Sequence, residues 1–196
     1  IHRRTAAEVL GIPFEEVTPE QRSHAKAVNF GIIYGISDFG LARQLGIPRK
    51  QAASYIDAYF KRYPSIHDFM HSMVEKAKET GRAVTLFGRY RELPDINSKN
   101  FNRRSFAERT AMNTPIQGTA ADIMKMAMIE VYRKMKAGGY KSRVLLQVHD
   151  ELVAEVVKEE KEEIAALLKE TMESVVKLKV PLVADVNEGK NWAETK

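Results

Sequence analysis

Arg22, Lys26, Phe30 and Tyr34 recur every four residues. Wound as a helix, that spacing drifts by only about 40° per step, so the four side chains form one slanting stripe roughly 18 Å long. Two cations come first and two aromatic rings follow. A nucleoside triphosphate has the matching asymmetry, anionic at one end and flat at the other. On spacing alone, the ordinary reading of the cations is a solvated helix face. A second group, His149-Asp150-Glu151, lies between the apolar runs Val144–Val148 and Leu152–Val156. An acid at a hairpin tip is ordinary turn chemistry. Set between apolar arms, it can also be a carboxylate presented from a rigid β-scaffold.

Three weaker groups stand around these. Arg109, Asn113 and Gln117 are again spaced by four. On one helix face they could reach the minor-groove acceptors common to all base pairs, or they could serve as loop and capping partners around Pro115. Arg89, Arg91, Lys99, Arg103 and Arg104 alternate with Tyr90, Phe101 and Asn102; cations with aromatic and amide neighbours suit a phosphate backbone, as they suit a solvated loop. His67 and His71 have a zinc-ligand spacing on a helix, but no third ligand converges there, and they read as surface histidines.

The elements that must position these groups follow from caps and periodicity. Thr18-Pro19-Glu20-Gln21 is a capping box with Pro at N1, and Gly35 is a natural stop, which predicts a helix beneath the stripe. A short helix over 5–10 precedes it, closed by Gly11 and Pro13. Ser37 caps a helix to Leu45, and Pro48 at N1 opens one to about Arg62 with Ala52, Tyr55, Ile56, Tyr59 and Phe60 inward. Ser65 caps another to Thr80 and Gly81. Residues 82–93 read as two short strands or an extended turn, ended by Pro94. From Ser105 a helix is expected to kink or break near 114–118 at Pro115. It resumes from Thr119 to Lys136 with Ile123, Met124, Ala127, Met128, Val131 and Met135 inward. A hairpin with both arms buried spans 143–156, a charged amphipathic helix spans Lys158 to about Leu178, and residues 180–186 read as an edge strand. The result is an α+β chain: a helical region at 1–81, then 82–196 with a short antiparallel sheet flanked by helices.

Composition sets bounds. The 196 residues carry a formal charge of +5, unevenly spread: residues 1–110 hold 18 Lys and Arg against 12 Asp and Glu, and residues 111–196 hold 13 against 14. The first part therefore attracts polyanions, and the second can host metal-holding carboxylates. Cys is absent, which excludes disulfides and thiolate metal sites. No apolar run approaches the roughly 18 residues of a membrane span. The chain opens on Ile1 and runs at once into a helical pattern, as expected of an excised fragment.

Arg22-x3-Lys26-x3-Phe30-x3-Tyr34-Gly35, with Asn29-Phe30-Gly31 inside it, resembles the nucleotide-binding fingers helix of the bacterial family A DNA polymerases. The likeness continues through Arg109 to Gln117, His149-Asp150-Glu151 and Gly189 to Lys196, in order and over essentially the whole chain. It implies helical fingers at 1–81 and, at 82–196, the end of the fingers and the C-terminal part of the palm. It also implies template-directed DNA synthesis, with dNTP and a DNA primer–template as partners, by a cytoplasmic, nucleoid-associated monomer. Arg22, Lys26, Phe30 and Tyr34 would bind the dNTP; Arg89, Arg109, Asn113, Gln117 and His149 would contact DNA. Asp150 would ligate Mg²⁺, with Glu151 an auxiliary acid and Arg22 and Lys26 assisting catalysis. Tyr90 stands where the family carries Arg. The family's second metal-binding Asp belongs to an Asp-Tyr-Ser motif that these residues lack; the resemblance places that motif and the thumb upstream of Ile1, so the isolated chain is expected to be inactive. Two other classes fit the residues alone: a non-catalytic nucleic-acid-binding helical module, and a metal hydrolase centred on His149, Asp150 and Glu151.

Overall fold

Capping decides where the first helices begin and end. The computed structural model describes residues 1–195 and opens with α1 (His2–Leu10), closed by Gly11 in the left-handed region. A short 3₁₀ turn leads to α2 (Pro19–Ile33). The capping box forms as expected: the Gln21 N–H donates to Thr18 Oγ1 at 3.2 Å, and the Thr18 N–H donates back to Gln21 Oε1 at 2.9 Å. Next come α3 (Asp38–Leu45), capped by Ser37, α4 (Arg49–Arg62) and α5 (Pro64–Thr80). Two expected starts move, that of α4 by one residue and that of α5 by two. Pro48 is the N-cap of α4 rather than its first turn, and α5 begins on Pro64, with Tyr63 as N-cap and no cap from Ser65. A proline needs no N–H partner in a first turn, so it can open α5 directly.

The strands β1 (Arg82–Val84) and β2 (Tyr90–Glu92) pair antiparallel, Arg82 opposite Glu92, with an ion pair at 3.1 Å. The long helix α6 (Phe101–Ala137) follows. The expected break at 114–118 is absent, and α6 runs through Pro115 as one element. Proline withdraws only its own N–H from the ladder, and the bonds on either side carry the helix past it. Then come β3 (Arg143–Val148), β4 (Glu151–Glu155) and α7 (Lys161–Ser174). Helix α7 stops short of Leu178. Residues 180–186 form no strand, because the ladders among the described residues join only β1 with β2 and β3 with β4.

The chain divides into two compact units, Ile1–Ile116 and Gln117–Lys196. Ala77 of α5 shares a buried cluster with Ala83, Leu93, Ile96, Ala107 and Ala111, which ties residues 82–111 to the first unit. That unit's main core comprises Val28 and Ile32 of α2, Leu41 and Ala42 of α3, Ala52 and Tyr59 of α4 and Met70 of α5. In the second unit Val131 and Met135 pack on Ile164 of α7, with Val144 and Leu152 of the hairpin against them. The hairpin is less buried than expected. Leu145 and Leu146 are each 49% exposed, because a β-bulge between Val144 and Leu146 interrupts the alternation that would turn one face inward.

Candidate nucleotide and nucleic-acid face

Helix α2 carries the whole stripe. Its inner face buries Ala25, Val28, Gly31 and Ile32, and that burial forces Arg22, Lys26 and Phe30 outward, with Tyr34 at the C-cap. Phe30 and Tyr34 are each 46% exposed, so two large rings stand in solvent at the end of a fixed helix. His24 Nε2 approaches Glu20 Oε1 at 3.8 Å, and among the described residues neither Arg22 nor Lys26 is paired with a carboxylate. Cations held on a rigid face and uncompensated by carboxylates are suited to a polyanion.

The structure adds a residue that spacing could not find. The His2 ring of α1 lies 5.6 Å from that of Phe30, tilted by 48°. The Asn29 side-chain amide donates to His2 Nδ1 at 3.0 Å and to Thr5 Oγ1 at 3.1 Å. With Nδ1 accepting, the neutral imidazole carries its proton on Nε2. Burial, the positive amino terminus, Arg22 and Lys26, in that order, hold the His2 pKa below its usual 6.5. His2 therefore shares the field of the stripe. Its signal was tertiary: residues 2 and 30 belong to different helices, and no sequence period links them.

On α6, Arg109 is exposed and its guanidinium donates to Ser105 Oγ at 2.8 Å. Asn113 is half-buried, with its Oδ1 buried and unpartnered, and Gln117 is exposed. Arg89 is exposed where the β1–β2 turn re-enters the ladder; its N–H donates to Thr85 Oγ1 at 3.2 Å and its carbonyl accepts from the Thr85 N–H at 2.8 Å. Beside it, the Arg82 guanidinium lies 4.6 Å from the Tyr90 ring centroid. His67 meets Phe60 edge-on at 5.0 Å and approaches Asp68 at 3.6 Å.

In the second unit the β3–β4 register pairs Val148 with Glu151, so His149 and Asp150 are the two turn residues. His149 has φ 51°, the positive angle that tight hairpin turns need at their first position, and the Gln147 amide braces the turn by donating to the His149 carbonyl at 2.8 Å. Asp150 is exposed at the tip, without an ion pair among the described residues. Glu151 is half-buried and accepts a long bond from Trp192 Nε1 at 3.5 Å. The described residues contain no group of three His, Asp or Glu side chains able to hold a metal unaided. Mg²⁺ takes one or two carboxylates and completes its octahedron with phosphate oxygens and water. An exposed, unpaired Asp150 fits one share of such a site.

The family profile described as DNA polymerase family A matches residues 1–194. DNA polymerase I of Streptococcus pneumoniae TIGR4 is 57% identical over 197 residues, a match that takes in all of this chain and 22% of that protein. DNA polymerase I of Caldicellulosiruptor bescii is 56% identical over 196 residues, covering the whole chain and 23% of that protein. Among solved structures, the POL domain of Pol1 from M. smegmatis, in complex with DNA primer–template and dNTP, superposes with a TM-score of 0.93 at 42% identity. That match covers 99% of this chain and 34% of the solved one. The chain thus spans under a quarter of the length of these curated relatives. Its α+β architecture is that of their fingers and C-terminal palm, and the chain belongs to family A of the DNA polymerases.

Proposed function

We propose that this chain forms the nucleotide-binding and DNA-contacting part of a template-directed DNA polymerase, acting as a monomer on DNA in the bacterial cytoplasm. The observation that carries the reading is the exposed, uncompensated cation-to-ring stripe on α2. Arg22 and Lys26 hold the triphosphate and stabilise charge on the departing pyrophosphate, with His2 beside them. Phe30 stacks on the sugar and base, and Tyr34 stands near the templating base. Arg89, Arg109, Asn113 and Gln117 line the primer–template, and His149 contacts the primer end.

The reaction is attack of the primer 3′-oxygen on the α-phosphorus of a dNTP. A new P–O bond forms, the bond to the bridging oxygen of the β-phosphate breaks, and the hydroxyl proton passes to solvent. Asp150 would hold Mg²⁺, which when bound supplies the positive charge that such phosphoryl transfer requires. Glu151 is an auxiliary acid beside it.

The test is dNTP titration of the 196-residue chain followed by NMR, with and without primer–template. Shifts centred on residues 22–34 support the reading. Strongly salt-dependent DNA binding with no response to dNTP would point instead to a non-catalytic nucleic-acid-binding module.

A further inference from the structure

Gly35 closes α2 in the left-handed region, with φ +67°. A β-carbon added there would lie 2.5 Å from Met112 Cε and 2.9 Å from Arg109 Cγ, both on α6. The two contacts differ in kind. A methionine methyl swings aside about soft torsions. The Cγ of arginine is the second carbon of its stem, and moves only if χ1 turns and carries the guanidinium with it. The stem of Arg109 therefore rests directly on the Gly35 backbone. Its guanidinium is held one helical turn earlier, where Nη1 donates to Ser105 Oγ at 2.8 Å.

We infer that Gly35 and Ser105 are positioning residues for Arg109. The end of the helix that carries the nucleotide stripe sets the stem, and the Ser105 hydroxyl sets the head. The direction in which this cation faces DNA is thereby fixed by the packing of the nucleotide-binding helix. The inference rests on the reading of Arg109 as a DNA contact.

Two readouts on the 196-residue chain test it. The first is the Arg109 Nε–H resonance, assigned by its loss in Arg109→Lys; it is expected to be ordered in the unaltered chain and averaged in Gly35→Ala and Ser105→Ala. The second is primer–template affinity by fluorescence anisotropy. Both variants should weaken it roughly tenfold, as Arg109→Ala should. Gly35→Ala should add nothing to Arg109→Ala, and Ser105→Thr should restore both readouts. If Gly35→Ala fails to fold, Ser105→Ala and its threonine rescue still decide. An unmoved resonance in Ser105→Ala overturns the inference, as does a loosened arginine whose chain binds DNA with unchanged affinity while Arg109→Ala weakens it. If Arg109→Ala itself leaves DNA affinity unchanged, the DNA-contact reading fails with the inference, and the resonance alone records whether the arginine was held.

Discussion

The ring of His2 lies 5.6 Å from that of Phe30, so α1 delivers an imidazole to the middle of a stripe that α2 otherwise builds alone. Burial first, then the amino terminus, Arg22 and Lys26, lower that ring's pKa below the usual 6.5. A triphosphate bound to the same cations would reverse the sign of the local field. The His2 ring resonances are expected to titrate below 6.5 in the free chain and to move upward when dNTP is added. An unmoved midpoint would place the phosphates elsewhere.

The same shift fixes a stability trend. A histidine whose folded pKa is depressed contributes stability that is fully present above the unfolded value of about 6.5 and is lost as pH falls through the folded value. His2→Gln should flatten that acid-side loss in a denaturant series run downward from pH 7. A variant that retains the full slope below 6.5 would assign it to other groups.

The contrast between Lys26 and Arg43 tests the stripe itself. Both are exposed helical cations, but only Lys26 belongs to the four-residue series on α2. With this segment spliced into the matching part of Caldicellulosiruptor bescii DNA polymerase I, Lys26→Ala is expected to slow single-nucleotide incorporation by about 10²-fold or more, the scale of losing one charge-stabilising donor. Arg43→Ala should stay within about twofold. Equal rates for the two would remove the basis for the site.

Thr18 and Gln21 satisfy each other's backbone N–H groups at the start of that helix. Thr18→Ala deletes the capping-box acceptor at a cost of about 1 kcal/mol, which for a chain of this size lowers Tm by roughly 2–4 °C. Calorimetry on the isolated chain measures it. An unchanged Tm would mean that tertiary packing alone fixes the helix start.

The readable parts of this chain were those governed by local chemistry. Thr18, Ser37, Gly11 and Gly81 act within four residues of where they stand, and each marks the helix end it was expected to mark. Features set by distant partners were not legible. The His2–Phe30 contact, the rest of Arg109 on Gly35, and the salt bridge and hydrogen bond that tie Arg62 and Tyr63 to Glu8 all join residues with no shared period. At Pro115 the strong local signal did not break the helix, because the ladder continues on both sides. The strand expected at 180–186 needed an edge to pair with, and an alternating pattern cannot state whether one is there. Thr171 of α7 is almost fully buried, and it takes a hydrogen bond from Lys134 of α6 at 3.1 Å, a pairing that no sequence period announces.

The last expectation concerns sufficiency. Two-metal phosphoryl transfer requires a pair of ions about 4 Å apart, clamping the attacking and leaving oxygens. The hairpin tip offers Asp150 alone in solvent, while Glu151 begins β4 opposite Val148, half-buried and engaged by Trp192. The described residues contain no group of three acids or histidines that could hold a metal ion. Removing a single charge-stabilising contact costs about 10²–10³ in rate, and a clamp short of a carboxylate loses at least that. The 196-residue chain is therefore expected to extend no primer in Mg²⁺ with all four dNTPs, even at high concentration. The same segment spliced into the Caldicellulosiruptor bescii enzyme should extend one, and should lose that activity with Asp150→Ala. Template-dependent extension by the isolated chain that disappears in its own Asp150→Ala variant would show that one carboxylate on this hairpin suffices.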